Sequence, residues 1–153
     1  RSFGQGIASL GTSSMSATRF LDTNVLLYAV SSAPEEQFKA ERARDLLEED
    51  DWALSVQVLQ EFYVQATRAS RPDRISHIQA VALIESWLRF QVQEITVSVL
   101  QAALAIKERH GLSYWDSAIL AAARAAGCRE VWSEDLAGGH DYDGVGVVDP
   151  FAG

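Results

Sequence analysis

The sequence has a single cysteine, Cys128, so no internal disulfide can brace the fold. A lone thiol fits a reducing compartment, and a cytoplasmic location is the expectation. Only three prolines and one methionine are present. No apolar run approaches the roughly 18 residues that a membrane-spanning helix needs. Positive charge is scarce: 13 Lys and Arg face 21 Asp and Glu, for a net charge of -8. That balance argues against a simple basic nucleic-acid binder. No Lys or Arg follows Arg129, whereas Glu130, Glu134, Asp135, Asp141, Asp143 and Asp149 do. The bases gather earlier, at Lys39, Arg42 and Arg44, at Arg68, Arg71 and Arg74, and at Lys107 and Arg109. An acidic pocket that holds cations between basic edges can still accept a polyanion. Walker loops and dinucleotide-binding glycine motifs are missing too.

What is present is ample apolar content: 48% of 153 residues, enough for one globular domain with a proper core. Arg1–Ser14 is rich in Gly and Ser and lacks periodicity, and Met15 is the only methionine. The expectation is a vector-derived remnant over residues 1–14 and a single domain over residues 15–153. Short apolar runs at Arg19–Leu21, Trp52–Val56, Phe90–Ile95, Glu130–Ser133 and Val145–Val148 read as strands. Between them, Glu35–Glu49, Gln57–Ala69 and Ile75–Leu88 have helical periodicity. The buried side of the first is expected at Phe38, Ala43, Leu46 and Leu47. That of the third is expected at Ile75, Ile78, Val81, Ala82 and Trp87. Ser98 with Gln101, and Ser113 with Asp116, have capping-box spacing, and Gly111 and Gly127 stop the two helices that follow. Strands separated by helices predict an α/β fold with a mainly parallel central sheet flanked by helices.

Four acids stand in settings that can bring them together. Asp22 ends an apolar run, Glu61 lies on the helix after a strand, Asp116 opens a helix, and Asp135 follows a strand. Each has a bland reading of its own. Asp22 is a good N-cap, Glu61 a solvated helix residue, Asp116 the partner of Ser113, and Asp135 a loop acid near Gly138-Gly139. Taken together, one site explains them better than four accidents, because strand ends in an open α/β sheet deliver residues to one crevice. Clustered carboxylates raise each other's pKa unless a cation holds them, and oxygen-only ligands suit a hard ion such as Mg²⁺ or Mn²⁺. The pattern points to metal-dependent phosphoryl transfer. Asp141-Tyr142-Asp143-Gly144 begins like a calcium loop but lacks the later Glu, so Asp143-Gly144 reads as a turn. His77, His110 and His140 have no metal-ligand spacing, and Cys128 reads as a packing residue. Tyr114 and Trp115 read as core or as site wall.

The segments Phe20-Leu21-Asp22-Thr23-Asn24-Val25-Leu26, Ser55-Val56-Gln57-Val58-Leu59-Gln60-Glu61-Phe62, Tyr114-Trp115-Asp116-Ser117-Ala118-Ile119 and Trp132-Ser133-Glu134-Asp135-Leu136 resemble those of PIN-domain nucleases. Within that family the chain looks most like VapC-type toxins of toxin–antitoxin pairs. The likeness runs from Met15 to the C-terminus. It implies a PIN fold and a Mg²⁺- or Mn²⁺-dependent endoribonuclease that leaves 3′-hydroxyl and 5′-phosphate ends. It assigns catalysis and metal binding to Asp22, Glu61, Asp116 and Asp135, with Asn24 and Ser133 in support. It also implies an RNA substrate, a homodimer and a cognate VapB-type antitoxin that blocks the groove. The single acid of Glu134-Asp135-Leu136 at the motif position leaves one metal or two open.

Two rival readings come from other classes. A haloacid-dehalogenase-like phosphatase with Asp22 as nucleophile expects a second Asp at position 24, where this chain has Asn. A non-catalytic PIN scaffold does not need four intact acids. RNA cleavage by the purified chain separates all three.

Overall fold

The computed structural model describes residues 16–152. Strand β1 (Arg19–Leu21) leads through Asp22 into α1 (Thr23–Ala29). A 3-10 turn (Pro34–Glu36) and α2 (Gln37–Leu47) follow, then β2 (Ala53–Ser55) and α3 (Val56–Thr67). Next come α4 (His77–Trp87), β3 (Gln91–Gln93), α5 (Val97–His110) and α6 (Tyr114–Ala125). The chain closes with β4 (Glu130–Trp132), β5 (Asp141–Tyr142) and β6 (Val145–Val148).

The strands form one sheet in the order β3-β2-β1-β4-β6-β5. All pairings are parallel except that of β5 with β6. The chain starts in the middle at β1, moves outward to β2 and β3, and then returns past β1 to add β4. Right-handed crossovers taken in opposite directions put their helices on opposite faces of a sheet. The packing follows that rule. Helix α1 packs on α2 and α3, and α3 on α4, whereas α5 packs on α6, which lies against the strands. The reversal falls between β1 and β4, and crevices for ligands open at such switch points, outside the carboxyl ends of the strands.

The central strands are short, and β1 and β2 run directly into the caps of the helices that follow. Phe20, Leu21, Leu54 and Val131 are fully buried, so the central strands carry apolar side chains on both faces. Trp52 is buried beside them, its indole N–H donating to the Leu46 carbonyl at 2.7 Å. Ser55 ends β2 and caps α3 in the same step, accepting the Val58 N–H at 3.2 Å. The strand therefore passes into the helix without a loop.

Several expected details shift. Phe38 is 71% exposed, and the inner face of α2 is Ala40, Ala43, Leu46 and Leu47. Helix α4 turns Ala80 and Trp87 inward, while Ile78 is 79% exposed and Ala82 is also outside. Trp87 is anchored edge-on to Phe62, with ring centres 4.8 Å apart. The cap of α5 is Thr96, which accepts the Val99 N–H at 3.1 Å, and not Ser98. Asp141–Tyr142, where no strand is expected from sequence, pairs with β6 across Asp143-Gly144. Both turn residues have positive φ (56° and 93°), the conformation a tight two-residue hairpin demands. The segment expected to be vector-derived, residues 1–14, lies outside the described residues.

Candidate metal and active site

Asp22 stands at the end of β1, where its backbone N–H still donates to the Trp132 carbonyl of the neighbouring strand at 3.1 Å. Its side chain caps α1, accepting the Thr23 N–H at 2.7 Å. The other carboxylate oxygen accepts the Ser133 hydroxyl at 2.7 Å, from the residue just past β4. Capping and site membership are thus one role, since the cap holds the carboxylate at the sheet's carboxyl edge.

Asn24 and Ser133 tie the two strand ends together. The Asn24 amide lies 3.1 Å from Asp135 Oδ2, 3.2 Å from Ser133 Oγ and 3.4 Å from Asp22 Oδ2. Its carbonyl oxygen accepts the Glu134 N–H at 3.2 Å. Ser133 Oγ also accepts the N–H groups of Asp135 and Leu136, at 3.0 and 3.3 Å. Its donor and acceptor capacity is therefore fully used within the site. Glu61 joins from α3. Val58, Phe62 and Ala66 bury the inner face of that helix, leaving Glu61 at its margin. There it accepts the Thr23 hydroxyl at 2.7 Å and the Gln57 amide at 3.2 Å.

The structure thus brings Asp22, Asn24, Ser133 and Asp135 into one hydrogen-bonded unit, with Glu61 attached through Thr23. Asp116 has no hydrogen bond to that unit. It occupies the first turn of α6, where its N–H donates to Ser113 Oγ at 3.1 Å. Because α6 runs back toward the start of β4, its N-terminus lies at the same carboxyl edge of the sheet. Trp115, read as core or site wall, is 62% exposed beside it. The neighbour of Asp135 behaves differently. Glu134 pairs with Lys39 and accepts the Tyr28 hydroxyl at 2.6 Å, and the Lys39 and Tyr28 bonds outweigh burial and hold its carboxyl below the ordinary range.

Burial pushes the Asp22 carboxyl up to about 6; the Ser133 and Thr23 hydrogen bonds oppose this, and the charges of Asp135 and Glu61 add to it. Among the described residues no Lys or Arg pairs with Asp22, Glu61, Asp116 or Asp135. A buried carboxylate beside two further acids, with oxygen atoms as the available donors, fits a hard divalent cation. Among the described residues no three such side chains are already gathered into a cage. The fit is therefore to an ion that keeps several of its waters and takes one or two carboxylates directly, as Mg²⁺ does. Cys128 plays no part: it is buried, its thiol pushed up to about 12 by burial.

The family model for the PIN domain matches residues 19–137. The chain belongs to the PIN domain family. Among solved structures it is similar to a toxin–antitoxin complex from Klebsiella pneumoniae, with 22% identity, a TM-score of 0.64, and coverage of 88% of this chain and 98% of that one. It is similar as well to the Mycobacterium tuberculosis toxin VapC20, which cleaves the sarcin–ricin loop, with 20% identity, a TM-score of 0.60, and coverage of 77% and 92%. A DNA-bound VapBC from Salmonella typhimurium aligns with 21% identity, a TM-score of 0.61, and coverage of 88% and 98%. Comparison with curated proteins gives no match.

Proposed function

We propose that this chain is a Mg²⁺- or Mn²⁺-dependent endoribonuclease and the toxin of a toxin–antitoxin pair. The observation that carries the reading is the unit of Asp22, Asn24, Ser133 and Asp135 at the switch between β1 and β4, its carboxylates unpaired with any Lys or Arg among the described residues. The structural likeness to toxins that work with antitoxins supports the biological role.

Asp22 and Asp116 would hold the principal ion, with Glu61 and Asp135 completing the shell directly or through water. When bound, the ion supplies an activated water and neutralises phosphodiester oxygens. Asn24 and Ser133 fix the carboxylates of Asp22 and Asp135, so little reorganisation is needed when RNA arrives. Burial at the β1–β4 edge keeps the Asp22 carboxyl out of bulk water, which strengthens its hold on any charge placed there. The products carry 3′-hydroxyl and 5′-phosphate ends. The protein acts in the cytoplasm as a homodimer, restrained by a VapB-type antitoxin that covers the groove.

The test is total RNA incubated with the purified chain, freed of any partner, in Mn²⁺ or in chelator, followed by mapping of new 5′ ends. Discrete metal-dependent cuts support the reading. Intact RNA in both conditions overturns it.

A further inference from the structure

The exposed site edge opens into a cavity of about 190 Å³ lined by Asn24, Leu27, Tyr28, Glu36, Arg71, Glu134 and Asp135. Two of these residues, Asn24 and Asp135, belong to the carboxylate site. From this juxtaposition we infer that the cavity seats the RNA segment flanking the cut bond, and that Arg71 binds a backbone phosphate of that segment. The inference rests on the endoribonuclease reading.

Three observations single out Arg71. First, it lines both this cavity and the adjoining one formed by Ser32–Glu36, Pro72 and Asp73, so it stands where a strand leaving the site would pass. Secondly, it is held from one side only. Its Nε lies 3.0 Å from Asp73 Oδ1, an ion pair without hydrogen-bond alignment. Asp73 in turn accepts the Ser32 N–H at 2.9 Å, which ties the α3–α4 loop to the segment after α1. The terminal nitrogens of Arg71 make no hydrogen bond among the described residues. They form the planar fork that suits a phosphate. Thirdly, the bases of α2 make contacts within the protein. Lys39 pairs with Glu134. Arg42 donates to the Pro150 carbonyl, and Arg44 to the carbonyls of Ala29 and Ser31. The acids of the cavity are partly satisfied as well, Glu134 by Lys39 and Glu36 by the Ser31 hydroxyl at 2.6 Å. Of the residues lining the cavity beside Asp135, Arg71 is the base.

A phosphate contact gives affinity without sequence information and releases counterions from the RNA. Arg71→Gln should raise KM several-fold with kcat nearly unchanged, while the mapped cut sites stay the same. Binding of a labelled mixed-sequence single-stranded RNA in chelator should lose about 0.7 from the slope of log K against log salt, one phosphate contact's share. Arg71→Lys, which keeps the charge and the Asp73 pairing, should restore most of that slope. A loop disturbed in Arg71→Gln would weaken binding without changing its salt slope, so that outcome overturns the inference, as does a wild-type slope in Arg71→Gln. If the wild-type chain neither binds nor cuts RNA, the endoribonuclease reading fails with it. If it cuts RNA and Arg71→Gln does so with wild-type KM and salt slope, only the Arg71 assignment fails.

Discussion

Ser133 donates its hydroxyl to Asp22 across the junction of β1 and β4 at 2.7 Å, while accepting from Asn24, Asp135 and Leu136. One fully buried oxygen thus holds the carboxylate of Asp22 and the backbone of Asp135, residues 113 apart in sequence (135 minus 22). Ser133→Ala leaves the N–H groups of Asp135 and Leu136 without their acceptor and takes one donor from the Asp22 carboxylate, while Asn24 keeps Asp22 and Asp135 as partners. Each buried unmet group costs on the order of 1–3 kcal/mol, although water can enter from the exposed Asp135 side. The expected loss is about 2 kcal/mol in denaturant unfolding, together with at least tenfold slower RNA cleavage. A Ser133→Ala protein as stable and active as wild type removes the hydroxyl from the site.

The Asp22 carboxyl yields a pH prediction whose sign follows from its environment. Burial lifts it from 3.8 to about 6, so the folded state holds that proton more tightly than the unfolded chain. Stability falls as pH rises through this window, by about 3 kcal/mol at most. Asp51, Asp73 and Glu134 have lowered pKa values, so their contributions are present above the ordinary carboxylate range and are lost only below it. In chelator, the protein should therefore melt at a higher temperature at pH 5 than at pH 7. Millimolar Mn²⁺ at pH 7 should recover the difference by mass action. A melting curve indifferent to both pH and Mn²⁺ would count against a cation beside Asp22.

Asp116 is where capping and catalysis can be separated. Its backbone N–H, not its carboxylate, engages Ser113. Asp116→Asn keeps the size and the acceptor oxygen near the first turn, so stability should change by less than about 0.5 kcal/mol. It removes the charge a hard cation needs. Cleavage should drop by at least a hundredfold while the melting curve in chelator is unchanged. Near wild-type cleavage would make Asp116 a helix-terminal residue only.

Much of this arrangement was legible in the sequence, and the misses share a cause. The strand ends at Asp22 and Ser133 and the caps at Ser55 and Ser113 are local signals, written in a few neighbouring residues. Asp22, Glu61 and Asp135 could be grouped because parallel strands send their ends to one edge. What the sequence could not show was the phase of weakly amphipathic helices. Ile78 and Trp87 compete for the inner face of α4, and the packing of Trp87 on Phe62 decides it. The place of Arg71 was equally hidden, because it depends on which residues the fold brings to the cavity beside Asp135. The short β5 was missed because its two residues are held by the turn and by β6, not by any pattern of their own.

The burial of Trp87 narrows the surface available to an antitoxin. On the α3–α4 pair the exposed large apolar side chains are Val64, Ile78 and Leu88, at 57%, 79% and 54%. Exposed apolar side chains in one region mark interfaces. Val64→Asp and Leu88→Asp should each leave stability within about 0.5 kcal/mol of wild type. Co-expression with the open reading frame immediately upstream should yield an inhibited complex with the wild-type chain and a weaker or absent one with the double variant. Equal co-purification and equal inhibition would place the antitoxin elsewhere.

Helix α5 carries two apolar stripes where one would serve the fold. Val99, Ala103 and Ile106 are buried. Val97, Leu100 and Leu104, three and four residues apart, are 71%, 42% and 51% exposed, and Ile95 ahead of them is 57% exposed. A surface helix needs one inward stripe, and a second asks for another surface. A homodimer formed by a twofold axis can bury the stripe on its own copy, since the same patch then meets itself. Leu100→Glu with Leu104→Glu places charges there without touching the buried set, so the protomer should stay folded. Sedimentation should then show a dimer for wild type and a monomer for the double variant, with the monomer melting at a lower temperature that no longer depends on protein concentration. A variant that remains dimeric would put the twofold contact on another face and leave the outer stripe of α5 for a different partner.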